Sequence, residues 1–214
     1  MPKLLTEFVG TFFLVFVVLL AGPGGTAGNF APIAIGLTLM VMVYMGGHVS
    51  GAHYNPAVTL AVLVRGKISV AEAGAYWGAQ FIAGLFAALA ALFVLGKSGA
   101  AAPAAGTTLV QVYLIEILFT FALALVVLNV ATAKGTANNS FYGAAIGMTV
   151  CAGAFAGGGI SGGAFNPAVG CSPIVFEAIH GMTKGLANIP LYLIGPGIGG
   201  ALAGVVFKLQ HPGE

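Results

Sequence analysis

Six apolar runs, near residues 4–22, 31–49, 72–95, 109–133, 140–158 and 186–208, constrain this chain more than any other feature. Each can cross about 30 Å of hydrocarbon as a helix, which takes roughly 20 residues at about 1.5 Å of rise per residue. Lipid offers no partner to an unpaired backbone group, so such runs must be helical. Composition agrees, with 59% of the 214 residues hydrophobic and 6% charged, a balance outside the range of soluble domains. The chain is expected to be an all-α membrane protein, one unit covering residues 1–214.

The polar inventory excludes several functions. There is no Asp, the acids are five Glu, and Arg65 is the one arginine. Nucleic-acid surfaces need clustered basic side chains, so no nucleic-acid partner is expected. Cys151 and Cys171 fall in apolar runs without metal-ligand spacing, and His48 and His53 lack a third convergent ligand. No metal, cofactor or disulfide framework is expected. An enzyme would need a nucleophile, an acid and a base in one place; none assembles here, and no catalytic residue is expected.

The first run follows Lys3 and resembles a signal peptide, but Glu7 sits inside it and it has a relative later in the chain, so it reads as a mature span. With a cytoplasmic amino terminus, Lys3, Arg65, Lys67, Lys134 and Lys208 fall inside and Lys97 and Lys184 outside. The excess of basic residues inside supports that orientation. The expectation is a multi-pass protein of the inner (plasma) membrane with both termini cytoplasmic.

Two further apolar segments, 55–64 and 167–176, are too short to span. Ten residues of helix reach roughly 15 Å, about half the hydrocarbon thickness. They read either as interfacial loops or as half-helices meeting at the middle. Each starts at Asn-Pro, with Asn able to cap and Pro placed where its missing N–H costs nothing, which favours half-helices.

The chain also repeats. A shift of 109 lays "EFVGTFFLVFVVLL" (7–20) on "EILFTFALALVVLN" (116–129), and a shift of 111 lays "SGAHYNPAV" on "SGGAFNPAV". Two repeats, about 1–100 and 109–214, each hold three spans and one half-span. Three is odd, so the second copy enters the membrane upside down. The expected fold is six transmembrane helices plus two re-entrant half-helices in an inverted repeat, with a site at the midplane.

At such a site both half-helices aim their amino-terminal N–H groups and partial positive charge at the membrane centre, which repels cations. Asn55 and Asn166, capping through their side-chain oxygens, keep NH₂ groups to donate into a pore. The non-helical residues before them, Gly51, Ala52, His53, Tyr54 and Gly162, Gly163, Ala164, Phe165, need a cavity beside their backbone. Their carbonyls are candidate acceptors for a permeant solute.

The two "SG(A/G)xxNPA" boxes, Glu7 and Glu116 near the start of spans one and four, "YWGAQ" (76–80) and "GPGIGGALAG" (195–204) resemble the aquaporin and aquaglyceroporin family over essentially the whole chain. The resemblance implies a central constriction at Asn55, Pro56, Ala57 and Asn166, Pro167, Ala168, and a homotetramer with one pore per chain. It makes Glu7 and Glu116 structural acceptors for the re-entrant loops, where an intramembrane carboxylate alone would suggest an ion site. It also gives His53 the part of bracing its loop.

The family sets selectivity at four positions that carry over by motif distance to Ile35, Ala154, Gly163 and Val169. The fourth is commonly Arg, and Val169 is the main departure. A ring of Ile, Ala, Gly and Val is small and uncharged, so it is expected to be wider than a strict water filter. Gly170 also replaces the Asp common in glycerol facilitators. Tyr192-Leu193 is similar to the plant nodulin-like branch, and Val169 to an arsenic-associated bacterial branch. The implied cargo is small neutral solutes, polyols or metalloid compounds such as arsenicals, plus water, with membrane lipid as the other partner. Cys171 reads either as an arsenic-reactive thiol or as a buried packing residue.

Two other readings have features of their own. A water-only channel would share the architecture. A secondary active transporter would share the inverted repeat, but would need coupling groups that only Glu7 and Glu116 offer.

Overall fold

The computed structural model describes residues 1–214 and contains eight α-helices and no strand. In chain order these are α1 (Pro2–Ala21), α2 (Ala31–Ser50), α3 (Pro56–Arg65), α4 (Val70–Leu95), α5 (Leu109–Thr132), α6 (Tyr142–Ser161), α7 (Pro167–Ile179) and α8 (Ile189–Gln210). All but α3 and α7 are long and apolar enough to span a membrane. Their outward faces carry Phe13, Phe86, Phe93, Leu118, Phe155 and Leu202 exposed, as lipid-facing surfaces do.

Boundaries differ modestly from the expected runs. Helix α6 continues through Gly157-Gly158-Gly159 and stops only where Gly162 turns left-handed, at φ 89°. A helix continues past glycines when its neighbours supply contacts, and Gly157 packs on Ile115 and Phe119 of α5. Helix α7 extends to Ile179, through Pro173.

The packing obeys the repeat. If α1 to α4 are matched with α5 to α8, each helix contact has its counterpart: α1 with α4 and α5 with α8, α1 with α2 and α5 with α6, α3 with α8 and α7 with α4. The pairs α2 with α6 and α3 with α7 are their own counterparts. Small residues allow the close approaches. A methyl added at Gly36 would meet the Gly147 carbonyl, at Gly199 the Phe121 amide, and at Gly204 the Val64 side chain. Gly195 abuts Glu116 in the same way, whereas Gly74 and Gly78 on α4 face open space.

One end of the bundle is tied by polar contacts. Lys3 pairs with Glu72 at 2.7 Å, joining the starts of α1 and α4. At the end of α3 the buried Arg65 side chain donates to Thr132 Oγ1 (2.7 Å), pairs with Glu214 at 3.1 Å and stacks 4.3 Å over Phe207. This arginine is part of the helix packing, not of a pore wall.

Candidate conduction pathway

The site is built by two loops. Helix α2 ends where Gly51 turns left-handed (φ 86°), and Asn55 starts α3; Gly162 and Asn166 do the same between α6 and α7. Between them Ala52 (φ 51°), Tyr54 (φ 50°) and Phe165 (φ 49°) are left-handed without being glycine, and Gly163 (φ 66°) takes the place matching Ala52. Such residues cost roughly 1–3 kcal/mol each and persist only where the surroundings over-determine them.

A buried glutamate over-determines each loop. Glu7 Oε1 accepts from Ser50 Oγ (2.7 Å) and His53 N (2.9 Å), and Oε2 from Tyr54 N (2.7 Å) and Gln80 Nε2 (2.9 Å). Glu116 accepts from Ser161 Oγ (2.7 Å), Ala164 N (3.1 Å) and Phe165 N (2.7 Å). Both carboxyl groups are sealed from solvent. The serines also accept, from Ala52 N and Gly163 N, and the Tyr76 and Tyr192 hydroxyls donate to the Ser50 and Ser161 carbonyls.

The two half-helices meet head to head. Asn55 Oδ1 accepts from Ala57 N at 2.8 Å and Asn166 Oδ1 from Ala168 N at 2.9 Å, so each asparagine caps its own helix. Each then donates across: Asn55 Nδ2 to the Phe165 carbonyl and Asn166 Nδ2 to the Tyr54 carbonyl, both at 2.9 Å. An amide NH₂ has two hydrogens, so one per asparagine is left for the cavity that both line. Pro56, Ala57, Pro167 and Ala168 are buried in the first turns behind them. The expected row of free carbonyls is thereby corrected at its two ends. Tyr54 and Phe165 are occupied by the asparagine amides, because the loops approach closely enough to bond each other.

No donor from the chain meets the carbonyls of Gly51, Ala52, His53, Gly162, Gly163 or Ala164. Ala52, His53, Gly163 and Ala164 lie on the wall of a central cavity that is otherwise mostly aliphatic: Leu14, Val18, Leu39, Leu123, Ile146 and Val150. Its volume, counted as space for the centre of a water molecule, is 20 Å³. About 10–15 Å³ on that measure holds one water, so the cavity has room for one or two. A vestibule of 480 Å³, on the side of Lys134 and Asn139, adjoins it at His53 and Val127 and is lined also by Gly51, His48 and Thr132.

Of the four expected filter residues, Ile35, Gly163 and Val169 share this cavity. Ala154 does not line it; Ile146 and Val150 of α6 do. Ala154 is one turn beyond Val150 and carries only a methyl, which leaves it set back from the wall. Gly162 packs instead against the Ala102 backbone. Cys171 lies in a separate lateral groove with Phe81, Ser172 and Leu193, and Cys151 packs against Gly36.

Sequence reasoning missed two residues. Gln80 reaches both Glu7 and Thr59, and Thr59 reaches His53. The available signal was a lone amide in an apolar span, which is costly there unless a partner waits for it.

Comparisons with known proteins agree with this geometry. The family profile described as "Major intrinsic protein" matches residues 1–207. Aquaporin NIP1-3 of Oryza sativa subsp. japonica is 41% identical over 214 residues, 94% of this chain and 71% of its own. Glycerol uptake facilitator protein-like 6 of Lactiplantibacillus plantarum is 34% identical, covering 95% of both chains. The crystal structure of the aquaglyceroporin from Plasmodium falciparum superposes with a TM-score of 0.81 at 20% identity, over 98% of each chain, and supports the fold. Six spans, two head-to-head half-helices and these matches place the chain in the major intrinsic protein family, the multi-pass membrane channels that pass water and small solutes passively and are not enzymes.

Proposed function

We propose that the chain conducts small uncharged hydroxylated solutes, glycerol-like polyols and metalloid hydroxides including arsenicals, together with water, through a constriction that has no arginine. The observation that carries this is Val169, which stands on the cavity wall beside Ile35 and Gly163 with no fixed charge near it. An aliphatic wall facing unmet loop carbonyls suits a solute with a carbon edge and a hydroxyl edge, passing end-on. A solute with no O–H or N–H hydrogen gains nothing from the carbonyls, and an ion loses its hydration without replacement. Cations are further opposed by the two half-helix dipoles and the spare asparagine hydrogens.

Within this proposal Glu7 and Glu116 are structural, the filter is Ile35, Ala154, Gly163 and Val169 with Ala154 its most recessed member, and the central constriction is the asparagine pair. The protein works as a homotetramer in the plasma membrane with both termini cytoplasmic. The open glycines Gly74 and Gly78 and the basic residues Lys3, Arg65, Lys67, Lys134 and Lys208 at one end support those parts.

A channel mainly for water is the second reading, favoured by the 20 Å³ cavity. Stopped-flow light scattering on proteoliposomes with water, glycerol, urea and a neutral arsenical separates the two. Fast entry of glycerol or the arsenical supports the proposal, and water flux with rejection of every larger solute overturns it.

A further inference from the structure

His53 lines both the vestibule and the central cavity, where the larger space gives way to the smaller. Its Nδ1 lies 3.1 Å from Thr59 Oγ1. That hydroxyl has two other neighbours: it donates to the Asn55 carbonyl at 3.1 Å and accepts from Gln80 Nε2 at 3.1 Å. A carbonyl oxygen only accepts and a hydroxyl has one hydrogen, so when that hydrogen lies on the Asn55 carbonyl, which also takes Thr59 N at 2.9 Å, none is left for Nδ1. The Gln80 orientation is set in turn by Glu7, since turning the amide over would set its oxygen against the carboxylate at 2.9 Å. Gln80 keeps this orientation although it leaves its own Oε1 buried without a donor. With the Thr59 hydrogen on Asn55 and the Gln80 amide donating, the role left for Nδ1 is to donate.

We infer that His53 is held as the Nδ1–H tautomer by Thr59 and Gln80, and that its Nε2 is an acceptor facing the passage, a specificity contact for solutes that offer an O–H or N–H hydrogen. Nε2 has no hydrogen-bond partner in the chain, and it is not among the sealed, unpartnered atoms, which are Thr11 Oγ1, Gln80 Oε1 and Thr120 Oγ1. It is therefore open to the passage. The ring is steadied edge-on by Tyr76, with centroids 5.1 Å apart. Nε2 adds a side-chain acceptor to the unmet carbonyls of Gly51, Ala52 and His53, so a hydroxylated solute entering from the vestibule finds acceptors before the asparagine donors. The second loop has Ala164 where the first has His53 and Gly170 where it has Thr59, and, with Tyr192 matched to Tyr76 by their bonds to the Ser161 and Ser50 carbonyls, Pro196 where it has Gln80, so the contact exists in one half alone. Thr59 and Gln80 are positioning residues in this scheme. The inference deepens the hydroxylated-solute reading and rests on it.

The test combines a spectroscopic and a flux measurement. Protein labelled with ¹⁵N-histidine in lipid bilayers is examined by solid-state NMR, which separates protonated from bare ring nitrogens, with His53→Gln subtracted to assign the signal. The wild type is expected to show Nδ1 protonated and Nε2 bare. Thr59→Val removes the acceptor and is expected to move the proton to Nε2, whereas Thr59→Ser keeps it on Nδ1; Thr59→Ala replaces Thr59→Val if the latter does not fold. Glycerol permeability is expected to fall about two- to tenfold in Thr59→Val, the range one hydrogen bond carries, and to recover in Thr59→Ser. A protonated Nε2 in the wild type overturns the assignment. A flipped tautomer with unchanged glycerol flux overturns the specificity role. If the wild type conducts water alone, the hydroxylated-solute proposal fails, while the spectrum still decides the tautomer and water permeability replaces glycerol as the flux readout.

Discussion

The two re-entrant loops share one scaffold and differ in how it is furnished. Both end a span at a left-handed glycine, hang from a buried glutamate and start a half-helix at a self-capping asparagine. The first loop adds His53, Thr59 and Gln80, and its glutamate receives four donors; the second has Ala164, Gly170 and Pro196, and its glutamate receives three. Val169 lies in the second half as well, so the polar chemistry of the passage is concentrated in the first. An inverted repeat thus fixes backbone symmetry and leaves side chains free to make the two faces of the pore unlike.

The largest effect should come from the glutamates. Replacing Glu7 by Gln turns one acceptor into a donor facing Tyr54 N and Gln80 Nε2, and at roughly 1–3 kcal/mol per unmet buried group this is a large share of an ordinary stability. Glu116→Gln faces fewer donors and should cost less. Thermal denaturation followed by size-exclusion recovery in detergent checks the order; equal or reversed losses would break the claim that the first loop is the more heavily tied.

Making the loops alike should also fail. Gly170→Thr, which copies Thr59, drives a side chain into Tyr192, and overpacking of this kind costs about 1–3 kcal/mol. A measured Tm equal to wild type would mean that Tyr192 yields, and that the asymmetry is not enforced by packing.

Val169→Arg restores charge to the less polar half. Glycerol permeability is expected to drop about tenfold, a change of about 1.4 kcal/mol in barrier, with water affected less. Unchanged glycerol flux in folded protein would remove Val169 from the constriction. The smallest effect belongs to Trp77, whose Nε1 donates to the Pro56 carbonyl at 3.0 Å, while Leu193 at the matching place in α8 makes no such bond. Trp77→Phe should lower stability by about 1 kcal/mol, and a loss several times larger would show that the indole supports α3 by more than this bond.

Much of this was legible beforehand because it rests on period, length and repetition. Run length gave the six spans, the Asn-Pro starts gave the half-helices, and the shift between "SGAHYNPAV" and "SGGAFNPAV" gave the inversion. Those are local properties, and lipid enforces them strictly because it satisfies no backbone group. The site was legible where a motif touches itself, as at Asn55 with Ala57. It was not legible where the contact crosses the chain. Gln80 to Glu7 joins residues 73 apart, and Asn166 to the Tyr54 carbonyl joins residues 112 apart.

The sequence by itself determined the membrane class, the inverted repeat, the capped half-helices and the missing arginine, since each is written in residue type and spacing. Only the tertiary structure decided which loop carbonyls stay free, that Ala154 stands off the cavity that Ile35, Gly163 and Val169 line, and that Thr59 and Gln80 reach His53 and Glu7. Those depend on distances of a few ångströms between segments far apart in the chain, where a hydroxyl with a single hydrogen must choose among neighbours that folding alone brings together.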